Sequence, residues 1–157
     1  MKPFFLLLLL FVSLVGTSSS CSKNDNGLVA NAPDNNNKPI VSTKIKITVN
    51  SQIFTASLAD TNSAKSFKEK LPMTISMLEL NGNEKYYNLA DNIPIQSSNP
   101  GTIQNGDLML YGSNTLVLFY KTFSTSYSYT KLGTIDDARG LALALGSGNV
   151  RVTFEMQ

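Results

Sequence analysis

The residues best suited to holding a ligand fall in one stretch. Phe119, Tyr120, Phe123, Tyr127 and Tyr129 are interleaved with Ser124, Thr125, Ser126 and Ser128. Rigid aromatic area beside small hydroxyls offers apolar contact with adaptable hydrogen bonding, which suits a peptide or small-molecule cleft. The same alternation also suits a strand whose every second side chain packs, and both readings stay open. Other chemistries find less support. The chain has no histidine, which removes imidazole bases and imidazole metal ligands. Neither a nucleophile elbow, a phosphate loop nor a zinc spacing occurs, and nothing points to a cofactor or a metal. Asp107, after Gly106, is either a general acid or a side chain bonded to nearby backbone in an Asx-turn. Asp136-Asp137 is the only adjacent carboxylate pair and suits the positive end of a helix dipole.

The first residues carry a different kind of information. Lys2 precedes an apolar run from Phe4 to Val15, broken only by Ser13, and Gly16 and Thr17-Ser18-Ser19-Ser20 follow. This is the plan of a secretory signal over residues 1–20, too short for a comfortable permanent span. The only cysteine, Cys21, sits directly after it and resembles the lipid-attachment cysteine of bacterial lipoproteins, although Ser18 stands where their lipobox prefers an apolar residue. The alternative is ordinary cleavage with Cys21 as an incidental thiol. If acylated, the chain is held at a membrane by about 0.8 kcal/mol per buried methylene. The expected location is the periplasmic or cell-surface face of a bacterial membrane.

Residues 21–43 are dominated by Asn, Asp, Pro and Gly and show no periodicity. Such a segment buries too little apolar surface to offset its ordering entropy and reads as a flexible tether. A single folded domain is expected over 44–157, long enough to bury roughly 65% of its unfolded surface. With no second cysteine it must stand on its core without a disulfide. Loss of residues 1–20 removes one base from 13 Lys+Arg against 11 Asp+Glu. A chain so close to neutral has no electrostatic case for nucleic acid.

Within this domain the central hairpin is the strongest element. Leu108 to Tyr111 and Leu116 to Tyr120 flank Gly112-Ser113-Asn114, residues that tolerate the positive φ of a tight reversal. Both runs are apolar at nearly every position, so both faces are expected to be covered. Strands 44–49 and 52–58 open the domain as a hairpin, the first with Ile45, Ile47 and Val49 on one face. Asp60 offers an N-cap for a helix over 61–71 that Pro72 ends. A strand over 73–80, with a bulge or break near Met77-Leu78, turns at Asn81-Gly82 into a strand over 84–89. Residues 91–104 read as a long loop. After a strand over 131–135, Asp136 or Asp137 caps a helix that Gly146 stops, and a strand over 149–156 ends the chain. Eight strands and two helices describe a mainly β fold, a closed barrel with capping helices.

The ordered set of opening hairpin, Pro72-ended helix, Gly106-Asp107 before the central strand, Phe119-Tyr120, and Leu132-Gly133-x-Ile135 before the last helix resembles the compact bacterial cyclophilin-like proteins. It covers Lys44 to Glu155. The resemblance implies an eight-stranded barrel with a helix over each open end. It also raises prolyl isomerisation, which cyclophilins perform with an arginine aimed at the prolyl amide, set in a Phe-His-Arg motif, beside an apolar pocket. That motif is absent, and the only arginines are Arg139, beside Asp136 and Asp137, and Arg151, alternating with Val150 and Val152. The leading expectation is a membrane-anchored binding module without efficient isomerase activity and with no catalytic residues. The alternatives are a peptidyl-prolyl isomerase using Arg139 or Arg151, and an envelope protein that docks through an exposed strand edge.

Overall fold

The computed structural model describes residues 43–157; the signal, Cys21 and nearly all of the tether lie outside the described residues. The elements run β1 (Lys44–Val49), β2 (Gln52–Leu58), α1 (Asn62–Lys68), β3 (Met73–Leu80), β4 (Glu84–Asn88), β5 (Thr102–Ile103), β6 (Asp107–Tyr111), β7 (Thr115–Phe119), β8 (Phe123–Ser124), β9 (Thr130–Ile135), α2 (Leu141–Leu145) and β10 (Val150–Met156). Eight strands close an antiparallel barrel in the order β1-β10-β3-β4-β7-β6-β9-β2. Closure leaves none of these eight strands with a free edge, so the edge-docking alternative finds no support in the barrel wall. β5 and β8 form a separate two-stranded ribbon.

Strand alternation sorts the side chains into an inner and an outer set. Ile45, Ile47, Val49, Phe54, Ala56, Ile75, Met77, Leu108, Leu110, Leu116, Leu118, Val152 and Phe154 belong to the interior core. Met109, Val117 and Phe119 face the other way into a second cluster with Ile103 and Tyr129, against which Tyr86 and Phe123 pack. The ribbon therefore covers the outside of β6 and β7, which is why neither strand alternates in sequence. β3 also runs unbroken: Met73, Ile75 and Met77 go inward, while Leu78 and Leu80 stand outside, paired with Tyr86 and Glu84 of β4. The apparent skip in its sequence comes from Glu79, a polar residue on the inner face.

The turns use backbone freedom where the sequence offers it. Asn50 takes φ 53°, and Asn81 and Gly82 take 56° and 67°. In the central hairpin only Gly112 is left-handed, at 59°. Asn114 contributes differently, donating from Nδ2 to the Leu89 carbonyl at 3.2 Å. Gly133 is required for closeness rather than for φ: a Cβ there would sit 2.6 Å from the Ser57 carbonyl oxygen and 3.2 Å from Leu58 Cα.

The helices close opposite ends and are shorter than expected. Thr61, not Asp60, caps α1, its Oγ1 accepting from the Ala64 amide at 3.2 Å; Asp60 pairs with Lys65. Phe67 of α1 packs edge-on against Phe154 at 5.9 Å. α2 starts at Gly140, and neither Asp136 nor Asp137 caps it. Asp136 accepts instead from Lys44 and Ser57, both at 2.6 Å, and Asp137 is engaged by Arg139. Asn50 in the β1–β2 turn donates to the Ala144 carbonyl at 3.1 Å, fastening α2 to its end of the barrel.

At that same end the interior becomes polar. The Lys85 ammonium, fully buried on the inner face of β4, donates to Glu79 and to the carbonyls of Gly146 (2.8 Å) and Gly148 (2.7 Å). Its three N–H donors are thereby satisfied, and it lies 5.3 Å from the centre of the Tyr120 ring. Tyr120 Oη donates to the Glu79 carboxylate at 2.8 Å, and the Gly82 amide reaches Glu79 Oε1 at 2.8 Å. Burial pushes the Glu79 carboxyl up, but hydrogen bonds from Lys85, Tyr120 and Gly82 together with the Lys85 charge outweigh it and hold the group below the usual glutamate range. Burial first, then the bond to Glu79, pushes the Tyr120 phenol up to about 12.

Removing one partner of a buried pair strands the other, so Glu79→Ala should lower the unfolding free energy by about 3–5 kcal/mol in urea titrations. Replacing both with Glu79→Leu and Lys85→Met should recover most of that loss. Because the Glu79 pKa is depressed on folding, its contribution is complete above the unfolded glutamate pKa. It disappears as pH falls through the folded value, so the urea midpoint should drop on acidification less steeply in Glu79→Gln than in the parent. Gly133→Ala should cost about 1–3 kcal/mol by forcing β9 from β2, read from the same titrations.

Candidate functional site

A cavity of about 520 Å³ lies on the outer face of the barrel, a size that suits a small molecule or a few peptide residues. Its floor is made by outward side chains of four neighbouring strands: Leu80 of β3, Glu84, Tyr86 and Asn88 of β4, Thr115 and Val117 of β7, and Tyr111 of β6. Phe123 to Tyr127 and Tyr129 form one wall, and Asn81 and Asn83 of the β3–β4 turn form another edge.

The wall is held by the segment that reads in sequence as a structureless loop. Ser98 and Tyr129 exchange backbone hydrogen bonds at 3.0 Å each, and the Thr125 amide donates to the Gly101 carbonyl at 2.9 Å. Asn99 Nδ2 donates to the Ser126 carbonyl at 3.2 Å, and Ile103 pairs with Phe123. Prolines and asparagines of 91–104 suppress any periodicity, yet the two short stretches they separate dock on partners far along the chain. No local signal announces such pairing.

Aromatic packing sets the shape of the cavity. Phe119 is fully buried beneath the wall, with ring centres 5.7 Å from Phe123 and, edge-on, 5.4 Å from Tyr129. Tyr111 meets Tyr129 at 5.6 Å and Tyr127 edge-on at 6.2 Å. Tyr127 and Tyr111 remain largely exposed. Of the five residues singled out in the sequence, Phe123, Tyr127 and Tyr129 line the cavity and Phe119 supports them from below. Tyr120 does not reach it: strand parity turns its ring inward to Glu79. The stretch is thus both a lining and a packing element, divided residue by residue.

Sequence reading missed Glu84, Tyr86 and Tyr111. Glu84 and Tyr86 share a face of β4 by the two-residue period, a signal that was present but did not say which face lay outward. Glu84 as a whole residue is nine-tenths buried. Burial, and then the negative charge of Glu79, raises its carboxyl pKa above the usual glutamate range. Burial and the Glu84 charge likewise push the Tyr129 phenol up.

The remaining candidate groups sit elsewhere. Arg139 is exposed and grips Asp137, with Nη2 to Oδ2 at 2.5 Å, which depresses the Asp137 pKa to about 2. Arg151 is exposed on β10, opposite Ser76 of β3, and neither arginine lines the cavity. Asp107 is buried and committed: Oδ2 accepts from the Gln104 amide at 2.9 Å, and Oδ1 from Lys131 at 2.9 Å and Thr134 at 3.2 Å. It bonds nearby backbone as its position suggests, but upstream rather than in an Asx-turn.

Comparison with known proteins agrees with this architecture. The model of the cyclophilin-like family matches residues 47–155. The solution structure of a hypothetical protein from Archaeoglobus fulgidus superposes with a TM-score of 0.57 at 14% identity, over 74% of this chain and 96% of that one; at such identity the likeness concerns the fold. No curated protein matches the sequence. With an eight-stranded barrel, a helix at each end and a family match spanning nearly the whole barrel, the chain belongs to the cyclophilin-like family.

Proposed function

We propose that this cyclophilin-like chain is a binding module that holds a peptide or small molecule in the cavity beside Phe123, Tyr127 and Tyr129. It is exported, carried on a bacterial membrane by lipid on Cys21, and lacks efficient prolyl isomerase activity. The observation that supports this most is the composition of the cavity. Aromatic rings, hydroxyls and side-chain amides surround about 520 Å³, with one carboxylate and no guanidinium among the lining groups. Rings and hydroxyls give binding energy and orientation. Speeding rotation about an X–Pro bond requires in addition a group that stabilises the twisted amide, since the barrier for an ordinary amide is about 18–20 kcal/mol. Arg139 and Arg151, the two guanidinium groups of the chain, lie outside the cavity.

A prolyl-isomerisation assay on the full chain with an X–Pro peptide should give the spontaneous rate. Acceleration that disappears in Arg139→Ala or Arg151→Ala would replace the binding module with an isomerase. For the anchor, Cys21→Ser expressed in a bacterial host should lose incorporation of labelled palmitate and leave the membrane fraction. Retention of both by the variant would remove Cys21 from the proposal.

A further inference from the structure

Glu84 is an anomaly in a cavity otherwise built of rings, hydroxyls and amides. The residue as a whole is nine-tenths buried, yet no hydrogen bond or ion pair holds its carboxylate among the described residues. The contrast with Glu79, next to Glu84's cross-strand partner Leu80 on the neighbouring β3 but on the inner face, is sharp. That carboxylate has an ammonium, a phenol and a backbone amide as donors. Native proteins seldom leave a buried charge unpaired, because desolvation without compensation is costly. A second acceptor is in the same condition: Asn83, also a lining residue, has a buried Oδ1 with no partner.

Tyr86, Tyr111, Tyr127, Tyr129 and Phe123 line the same cavity as Glu84, and the Glu84 charge reaches the Tyr129 phenol. Ring faces attract cations through their quadrupoles, and most strongly where water is excluded. A carboxylate among aromatic rings thus favours one kind of ligand group, an organic cation. The unpartnered oxygens of Glu84 and Asn83 further favour a cation that carries N–H donors. From this geometry we infer that the cavity recognises a primary alkylammonium group, held by the Glu84 carboxylate and the surrounding tyrosine rings. The inference rests on the binding-module reading and specifies the ligand chemistry of that same site. The ammonium is either that of a free amine or the side chain of a lysine in a peptide.

The test compares ligands that differ only in charge. Four of the six tyrosines line the cavity and the chain has no tryptophan, so tyrosine emission reports on the site directly. The full chain would be titrated at pH 7 with n-butylammonium, with n-butanol, and with acetyl-Gly-Lys-Gly-amide and its norleucine counterpart. Each charged ligand is expected to bind at least about tenfold tighter than its neutral partner, a difference of about 1.4 kcal/mol. Glu84→Gln should abolish that difference, and Tyr127→Ala, which alters an exposed ring, should reduce it severalfold. Glu84→Gln replaces a buried unpaired charge with a neutral side chain of the same shape, so it should melt no lower than the parent. A peptide that binds tighter than the free amine identifies a peptide source; equal affinity identifies a small amine; both support the inference. Equal binding of charged and neutral ligands, or a charge preference that survives Glu84→Gln, overturns it while leaving the cleft as a binding site. If none of the four ligands binds the folded chain, the inference falls, and the binding-module reading is left to ligands of other chemistry.

Discussion

Apart from the exposed Tyr111 at the end of β6, β6 and β7 are covered on both faces, and the rest of the structure is arranged around that constraint. Their inner residues, Leu108, Leu110, Leu116 and Leu118, are the fully buried centre of the barrel. Their outer residues, Met109, Val117 and Phe119, would expose a contiguous apolar surface if the β5–β8 ribbon did not cover them. The cover is incomplete. Where the ribbon leaves the outer sheet, Tyr86, Tyr111 and Val117 remain as a floor, and the cavity occupies the space between sheet and wall. Fold and candidate site therefore share one cause, the burial of a hairpin on both sides.

The two glutamates near the α2 end illustrate how strand parity assigns different fates to the same side chain. Glu79 points inward and meets Tyr120 and Lys85, whose ammonium in turn fixes the loop that carries Gly146 and Gly148 at the barrel end. Glu84 points outward, meets no donor, and carries a raised pKa to which Glu79 itself contributes. The first arrangement contributes stability and organises the fold. The second costs stability in the free protein, the kind of local conflict that marks functional sites in otherwise consistent folds.

The cavity wall depends on contacts distant in sequence. Ser98, Asn99 and Gly101 hold Tyr129, Ser126 and Thr125 by backbone and amide hydrogen bonds, and Phe119 supports Phe123 and Tyr129 by ring packing. Few of these contacts involve long flexible side chains, so the lining is largely positioned before any ligand arrives, which lowers the ordering cost of binding.

Local chemistry was enough to read several features directly. Period-two patterns marked β1 and β10, Asn81-Gly82 marked its turn, and the continuous apolar runs of β6 and β7 announced burial on both faces, whereas α1 stops at Lys68, short of the boundary that Pro72 suggested. The absence of histidine and of a Phe-His-Arg motif is likewise a property of the chain alone. Tertiary structure decided the rest, because the deciding contacts join residues far apart. Alternation along β4 states that Glu84 and Tyr86 share a face, but only barrel closure makes that face the outer one. Parity past the end of β7 sends Tyr120 to Glu79 and leaves Phe119 under the cavity wall, a division that the aromatic spacing could not reveal. Asp136 is drawn from a helix cap to Lys44 across 92 residues, and the 91–104 segment gains its short strand only from a partner at 123–124. Short-range physics writes the elements, while long-range pairing chooses which of their faces becomes core and which becomes site.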